Sequence, residues 1–101
     1  MVNSKQQIIN LIVKNKQAFG NLGAKKVGLF GSFARGQQTR ESDVDLLVDF
    51  LPEQKSYRNF LNVADLAEKL LDRKVEVLTP QSLSPYLAPY IEKDVVYVQT
   101  T

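Results

Sequence analysis

Two aspartates that alternate along an apolar segment constrain this chain more than any other feature. Asp43 and Asp45 flank Val44 and precede the apolar run 46–48. A β-strand here would place both carboxylates on one face, with their Cα atoms about 6.5–7 Å apart. Carboxylates this close repel each other unless a cation lies between them, and hard divalent cations such as Mg²⁺ prefer oxygen ligands. The alternative is the solvent face of a half-exposed strand, but aspartate is disfavoured in strands.

A glycine-serine turn precedes this pair. Gly31 and Ser32 follow the short apolar segment 26–30, which reads as a strand. The turn would leave backbone N–H groups free beside the metal, where a polyphosphate would bind. An ordinary turn with a helix N-cap is the other interpretation. Neither the P-loop motif nor the dinucleotide glycine pattern is present. Together the turn and the two aspartates indicate phosphoryl or nucleotidyl transfer.

Two further charged residues are candidates for the same site. Glu76 lies between two valines, so its side chain points to the polar face of a predicted third strand. If that strand lies beside the second, Glu76 approaches Asp43 and Asp45 and either binds metal or accepts a proton from an attacking hydroxyl. Arg35 lies one helical turn beyond the glycine-serine turn, within reach of phosphate. A solvent-exposed role remains open for both residues.

Composition excludes several kinds of chemistry. The chain has 101 residues without cysteine or histidine, so disulfides, thiolate zinc sites, cysteine nucleophiles and imidazole bases are ruled out. Its length predicts one small domain, 1–101. A formal net charge of +2 is too weak to indicate a nucleic-acid surface. No apolar run is long enough for a membrane span, and a cytoplasmic location is expected.

Hydrophobic periodicity predicts an α/β (α+β) chain with a small mixed β-sheet and helices packed on one face. The predicted helices cover residues 4–19, 56–72 and about 86–93, and one helical turn covers 32–35 and ends at Gly36. The predicted strands cover 26–30, 44–50 and 74–79. The apolar segment 95–98 is either an edge strand or a tail that docks on a partner.

The spacing of Gly31 and Ser32, ten intervening residues, and then Asp43-Val44-Asp45 resembles the signature of the DNA polymerase β-like nucleotidyltransferase superfamily. The chain as a whole is similar to the minimal nucleotidyltransferase (MNT) branch, the antitoxin partners of HEPN-domain ribonuclease toxins. This resemblance implies that Gly31 and Ser32 hold the triphosphate of ATP and that Asp43 and Asp45 bind Mg²⁺. The third acidic residue of such enzymes is often aspartate, and Glu76 occupies that place here.

The function implied by the resemblance is transfer of AMP from ATP to a tyrosine hydroxyl of a HEPN toxin, which silences its RNase activity. Two alternatives stay open: an antitoxin that masks its toxin without catalysis, and a transferase that acts on a small molecule or an RNA end. The small size and nearly neutral charge count against RNA. The candidate surface for a partner is the apolar carboxy-terminal segment around Tyr86, Tyr90, Val95, Val96 and Tyr97, and the alternative is that this segment covers the sheet edge.

Overall fold

A four-stranded sheet organises residues 2–101, the part of the chain that the computed structural model describes. In chain order the elements are α1 (Lys5–Lys14), α2 (Lys16–Asn21), β1 (Ala24–Phe30), α3 (Gly31–Arg35), β2 (Val44–Phe50), α4 (Tyr57–Leu71), β3 (Val75–Leu78), α5 (Ala88–Asp94) and β4 (Val96–Gln99). Within this part of the chain no helix is both long enough and apolar enough to cross a bilayer.

The sheet is mixed, as the sequence predicted. Its strand order is β3-β2-β1-β4, with β2 antiparallel to β1 and parallel to β3, and with β4 antiparallel to β1 on the other edge. Parallel neighbours cannot be joined by a tight hairpin, so the chain needs a crossover between β2 and β3. The fifteen-residue helix α4 supplies that crossover.

Alternation along the strands separates a helix-covered face from the face that carries the charges. Val44 and Leu46 of β2 are in register with Val75 and Val77 of β3, and all four side chains are buried in the core. The same core receives Ile8 and Ile12 from α1 and Val63, Ala67 and Leu71 from α4. The prediction of helices packed on one face of a small sheet is therefore confirmed, and Asp45 points to the opposite face.

The predicted single helix over 4–19 is wrong, because the chain forms two helices that meet at Asn15. The side-chain amide of Asn15 donates to the Leu11 carbonyl at 2.8 Å, and its backbone leaves the helical region, with φ −109° and ψ 18°. Asparagine side chains compete with the helical ladder in this way. The first helix begins as predicted, since the Ser4 hydroxyl accepts from the Gln7 backbone N–H.

The remaining differences lie at element ends. β1 begins at Ala24, two residues before the predicted start, and α5 begins at Ala88 because Pro85, Tyr86 and Leu87 belong to the preceding turn. The segment predicted as an edge strand or a docking tail is an edge strand, β4, paired with β1. The predicted helical turn is α3, and Gly36 closes it in the left-handed conformation at φ 71°.

Candidate active site

Three acidic residues share one electrostatic neighbourhood at the start of β2. Asp45 is in register with Glu76 of β3, and Asp43 lies one residue before the strand. The pKa of Asp45 is raised to about 6, first because burial disfavours its charge, and then because of the negative charges of Glu76 and Asp43. The pairing of β3 with β2 meets the condition under which the sequence predicts that Glu76 approaches the aspartates.

Asp43 and Glu76 are exposed, whereas Asp45 is half-buried. No group of three or more acidic, histidine or cysteine side chains within residues 2–101 is placed to hold a metal ion. A role for Glu76 as a third ligand therefore stays a prediction. The pair Asp43 and Asp45 suits Mg²⁺, which proteins commonly bind through one or two carboxylates together with substrate phosphates and water. A cation there would offset the repulsion from Glu76 and Asp43, which adds to the effect of burial in raising the pKa of Asp45.

Gly31 packs directly against Asp45. Its backbone is left-handed, with φ 78°, and a Cβ atom built on it would overlap the Asp45 carboxylate oxygen Oδ2. The preceding residue, Phe30, pairs with Asp45 across β1 and β2. Glycine is thus required here for two reasons: its backbone adopts a positive φ, and it has no side chain to overlap Asp45. The contact brings the turn and the acidic pair together.

Ser32 lies in the first turn of α3, immediately after Gly31. The N-cap of this helix is Phe30, which has no side-chain group to accept from the first backbone N–H groups. The Ser32 carbonyl accepts from the Gln37 N–H at 2.8 Å, which fixes the end of the turn. The first backbone N–H groups of α3 therefore have no side-chain cap, and this end of the helix lies beside the acidic pair.

Arg35 has partners that the sequence did not predict. Its Nη1 lies 3.6 Å from Asp94 Oδ2 at the end of α5, and its Nε donates to Gln37 Oε1 at 3.1 Å. Its positive charge also lowers the pKa of Asp45 against the three opposing effects. Asp94 is the residue of this neighbourhood that sequence reasoning missed, because nothing in its local pattern distinguishes it from a surface aspartate.

The chain is similar to known nucleotidyltransferases. The model of the nucleotidyltransferase domain family matches residues 8–98. The protein adenylyltransferase MntA of Thermococcus cleftensis is 35% identical over 88 residues, which are 87% of this chain and 88% of that protein. A proposed protein adenylyltransferase of Methanocaldococcus jannaschii is 42% identical over 76 residues, which are 73% of this chain and 76% of that protein.

Solved structures share the fold. A proposed minimal nucleotidyltransferase superposes with a TM-score of 0.69 at 27% identity, over 91% of this chain and 86% of that one. A complex of a tri-AMPylated HEPN toxin with its MNT antitoxin from Shewanella oneidensis gives a TM-score of 0.54. That match covers 96% of this chain and 68% of the other, and its 18% identity supports the fold alone.

The raised pKa of Asp45 predicts a pH-dependent stability of the metal-free protein. Between pH 3.8 and about 6 the folded state holds more of this proton than the unfolded chain, so the free energy of unfolding falls as pH rises. Asp45→Asn should therefore be more stable than wild type above pH 6, by on the order of 1 kcal/mol after discounting for solvent screening. The advantage should vanish near pH 4.

Urea unfolding in EDTA from pH 4 to 8 measures this difference. Asp65→Asn, which removes an exposed carboxylate of α4, is the control for the loss of one negative charge. A constant difference between Asp45→Asn and wild type across the range would contradict the prediction.

The packing of Gly31 predicts a large cost for a single methyl group. Gly31→Ala should lose more stability than Gly36→Ala by about 1–3 kcal/mol, the usual cost of overpacking. Gly36 is the matched control, since its φ is also positive, at 71°, but a Cβ there would meet nothing within 4 Å. Truncation of the neighbouring carboxylate in the double variant Gly31→Ala/Asp45→Ala should recover part of the loss. Equal unfolding free energies for the two alanine variants would be the contrary result.

Proposed function

The chain belongs to the nucleotidyltransferase domain family, in its minimal nucleotidyltransferase branch, and from this premise we propose that it transfers AMP from ATP to a tyrosine of a HEPN-type toxin and so neutralises it. The relatives named as protein adenylyltransferases support a protein acceptor. The observation that carries the proposal is the packing of Gly31 on Asp45, which joins the glycine-serine turn to the acidic pair.

Asp43 and Asp45 would hold Mg²⁺ in this proposal. When bound, the metal would neutralise negative charge on the phosphate oxygens of ATP. The N–H groups of the first turn of α3 and the Ser32 hydroxyl would bind the triphosphate. Arg35, which pairs with Asp94, would add a positive charge at the same edge.

The chemical step is a displacement at the α-phosphorus of ATP. The tyrosine oxygen forms a bond to that phosphorus. The bond from the phosphorus to the oxygen that bridges the α- and β-phosphates breaks, and pyrophosphate leaves. The hydroxyl proton must pass to an acceptor as the bond forms. Glu76 suits that role, because its carboxylate is exposed to an incoming hydroxyl while its strand position is fixed opposite Asp45.

The acceptor would come from a partner protein, because the exposed carboxylates Asp43 and Glu76 leave the site open to one side. Of the aromatic residues proposed for partner contact, Tyr86 and Tyr90 are 86% and 72% exposed. Tyr97 is less accessible, since it lies in β4 beneath the ammonium of Lys26, which is 4.1 Å from its ring centroid. The partner would therefore contact mainly the turn before α5 and α5 itself, which packs against α3.

AMP transfer is tested by co-expressing the chain with the product of its neighbouring gene and analysing that product by mass spectrometry. We expect AMP on a tyrosine with the wild type and none with Asp43→Asn, because one metal-binding carboxylate is lost. Asp65→Asn should act like the wild type. If Asp43→Asn neutralises the partner equally well and no AMP is attached, masking by contact replaces catalysis.

The role of Glu76 is tested by a graded pair of variants. Glu76→Gln should reduce the rate of AMP transfer by roughly 10²–10⁴-fold, the range for loss of an acid-base group. Glu76→Asp restores the residue that the family usually carries and should keep more of the rate. Glu53→Gln, an exposed change in the turn after β2, is the control. Equal rates in all the variants would assign Glu76 to the solvent face.

A further inference from the structure

Arg73 connects three separate segments beside the acidic site. It lies between α4 and β3, and its Nε donates to the Val2 carbonyl at 2.6 Å. Its Nη1 donates to the carbonyls of Arg40 and Ser42, each at 3.0 Å. The side chain is half-buried, so these hydrogen bonds are partly shielded from water. One guanidinium group therefore ties the amino-terminal segment to the loop that leads into β2.

This loop has few other anchors near Asp43. Its hydrogen bonds near Asp43 are local, as between the Thr39 N–H and the Ser42 hydroxyl at 2.8 Å, and its longer-range bond, from the Gln38 side-chain amide to the Asn3 carbonyl at 3.0 Å, lies farther from the aspartate. On one side of Asp43, the Ser42 carbonyl is held by Arg73; on the other, the Val44 N–H donates to the Lys74 carbonyl at 3.0 Å. The consecutive residues Arg73 and Lys74 thus hold the backbone on both sides of Asp43.

Arg73 also contacts the helix that begins at the glycine-serine turn. Its guanidinium carbon lies 5.1 Å from the centroid of the Phe33 ring, a cation–π distance, and that ring is fully buried. Phe33 follows Ser32 directly. The same guanidinium therefore fixes the loop that carries Asp43 relative to α3.

We propose that Arg73 is a positioning residue: it holds Asp43 where it can share a divalent cation with Asp45. This inference rests on the proposed function. It requires arginine in particular, because a planar fork can donate in several fixed directions while it stacks on an aromatic ring. A lysine ammonium in the same place is a flexible point charge and would not maintain all three carbonyl contacts and the stacking.

The test compares Arg73→Lys and Arg73→Met with the wild-type full chain. Mn²⁺ is titrated in the presence of a saturating non-hydrolysable ATP analogue and followed by electron paramagnetic resonance, so that binding is read without turnover. Loss of an outer-shell contact typically costs 10–100-fold in metal affinity, and we expect a loss in that range for both variants. In the transfer assay, kcat should fall and KM for the acceptor should stay within about two-fold, because only the metal ligand is displaced.

Two controls separate positioning from a general loss of structure. Arg58→Lys, an exposed change in the first turn of α4, should leave Mn²⁺ affinity unchanged. Adding Arg73→Lys to Asp43→Asn should have little further effect on Mn²⁺ affinity, because a residue that acts through Asp43 has nothing left to position. If Arg73→Met does not fold, Arg73→Lys decides the result.

The outcomes distinguish this inference from the proposed function. Wild-type Mn²⁺ affinity and kcat in Arg73→Lys, even with a lower melting temperature, would leave Arg73 a purely structural residue and overturn the inference alone. Additive losses in the double variant would also overturn it. A wild-type chain that neither binds Mn²⁺ nor transfers AMP would contradict the proposed function and this inference with it.

Discussion

The in-register pairing of Asp45 with Glu76 is the constraint on which the site depends. The register is set on the opposite face of the sheet, where Val44 pairs with Val75 and both are buried. A slip of one residue would turn these valines toward solvent and the carboxylates toward the core. Hydrophobic burial therefore holds two like charges side by side, and the pKa of Asp45 is raised first by its own burial and then by the charges of Glu76 and Asp43.

A positive charge of the chain offsets the repulsion among these carboxylates only in part. The charge of Arg35 lowers the pKa of Asp45, but burial and the two neighbouring carboxylates outweigh it. Arg35 is itself engaged by Asp94 across the contact between α3 and α5, and a pair this exposed contributes little stability. An external cation would supply the missing positive charge, which is the physical reason that this arrangement suits a metal-nucleotide complex. The proposed metal binding is thus supported by an electrostatic deficit that the fold maintains.

The fold was predictable wherever local pattern and burial agree. Residues of α4 recur at helical spacing on one buried face, and the structure gives Tyr57–Leu71 for the predicted 56–72. The prediction failed at Asn15, where a side chain donates to the Leu11 carbonyl and divides one helix into two. Hydrophobic periodicity continues through that position, so it carries no sign of the competing hydrogen bond. The same limit applies to α5, whose start depends on how the proline-containing turn closes.

The sequence by itself determined the local chemistry of the site: a glycine that permits a left-handed turn, and two alternating aspartates where a strand begins. These are properties of neighbouring residues, and backbone geometry fixes them over a few positions. Only the tertiary structure decided that Gly31 touches Asp45, that Arg35 pairs with Asp94, and that Arg73 holds the loop before β2. Each of these contacts joins separate elements, and which elements meet is settled by how the sheet and helices bury their apolar faces together, a property of the whole chain.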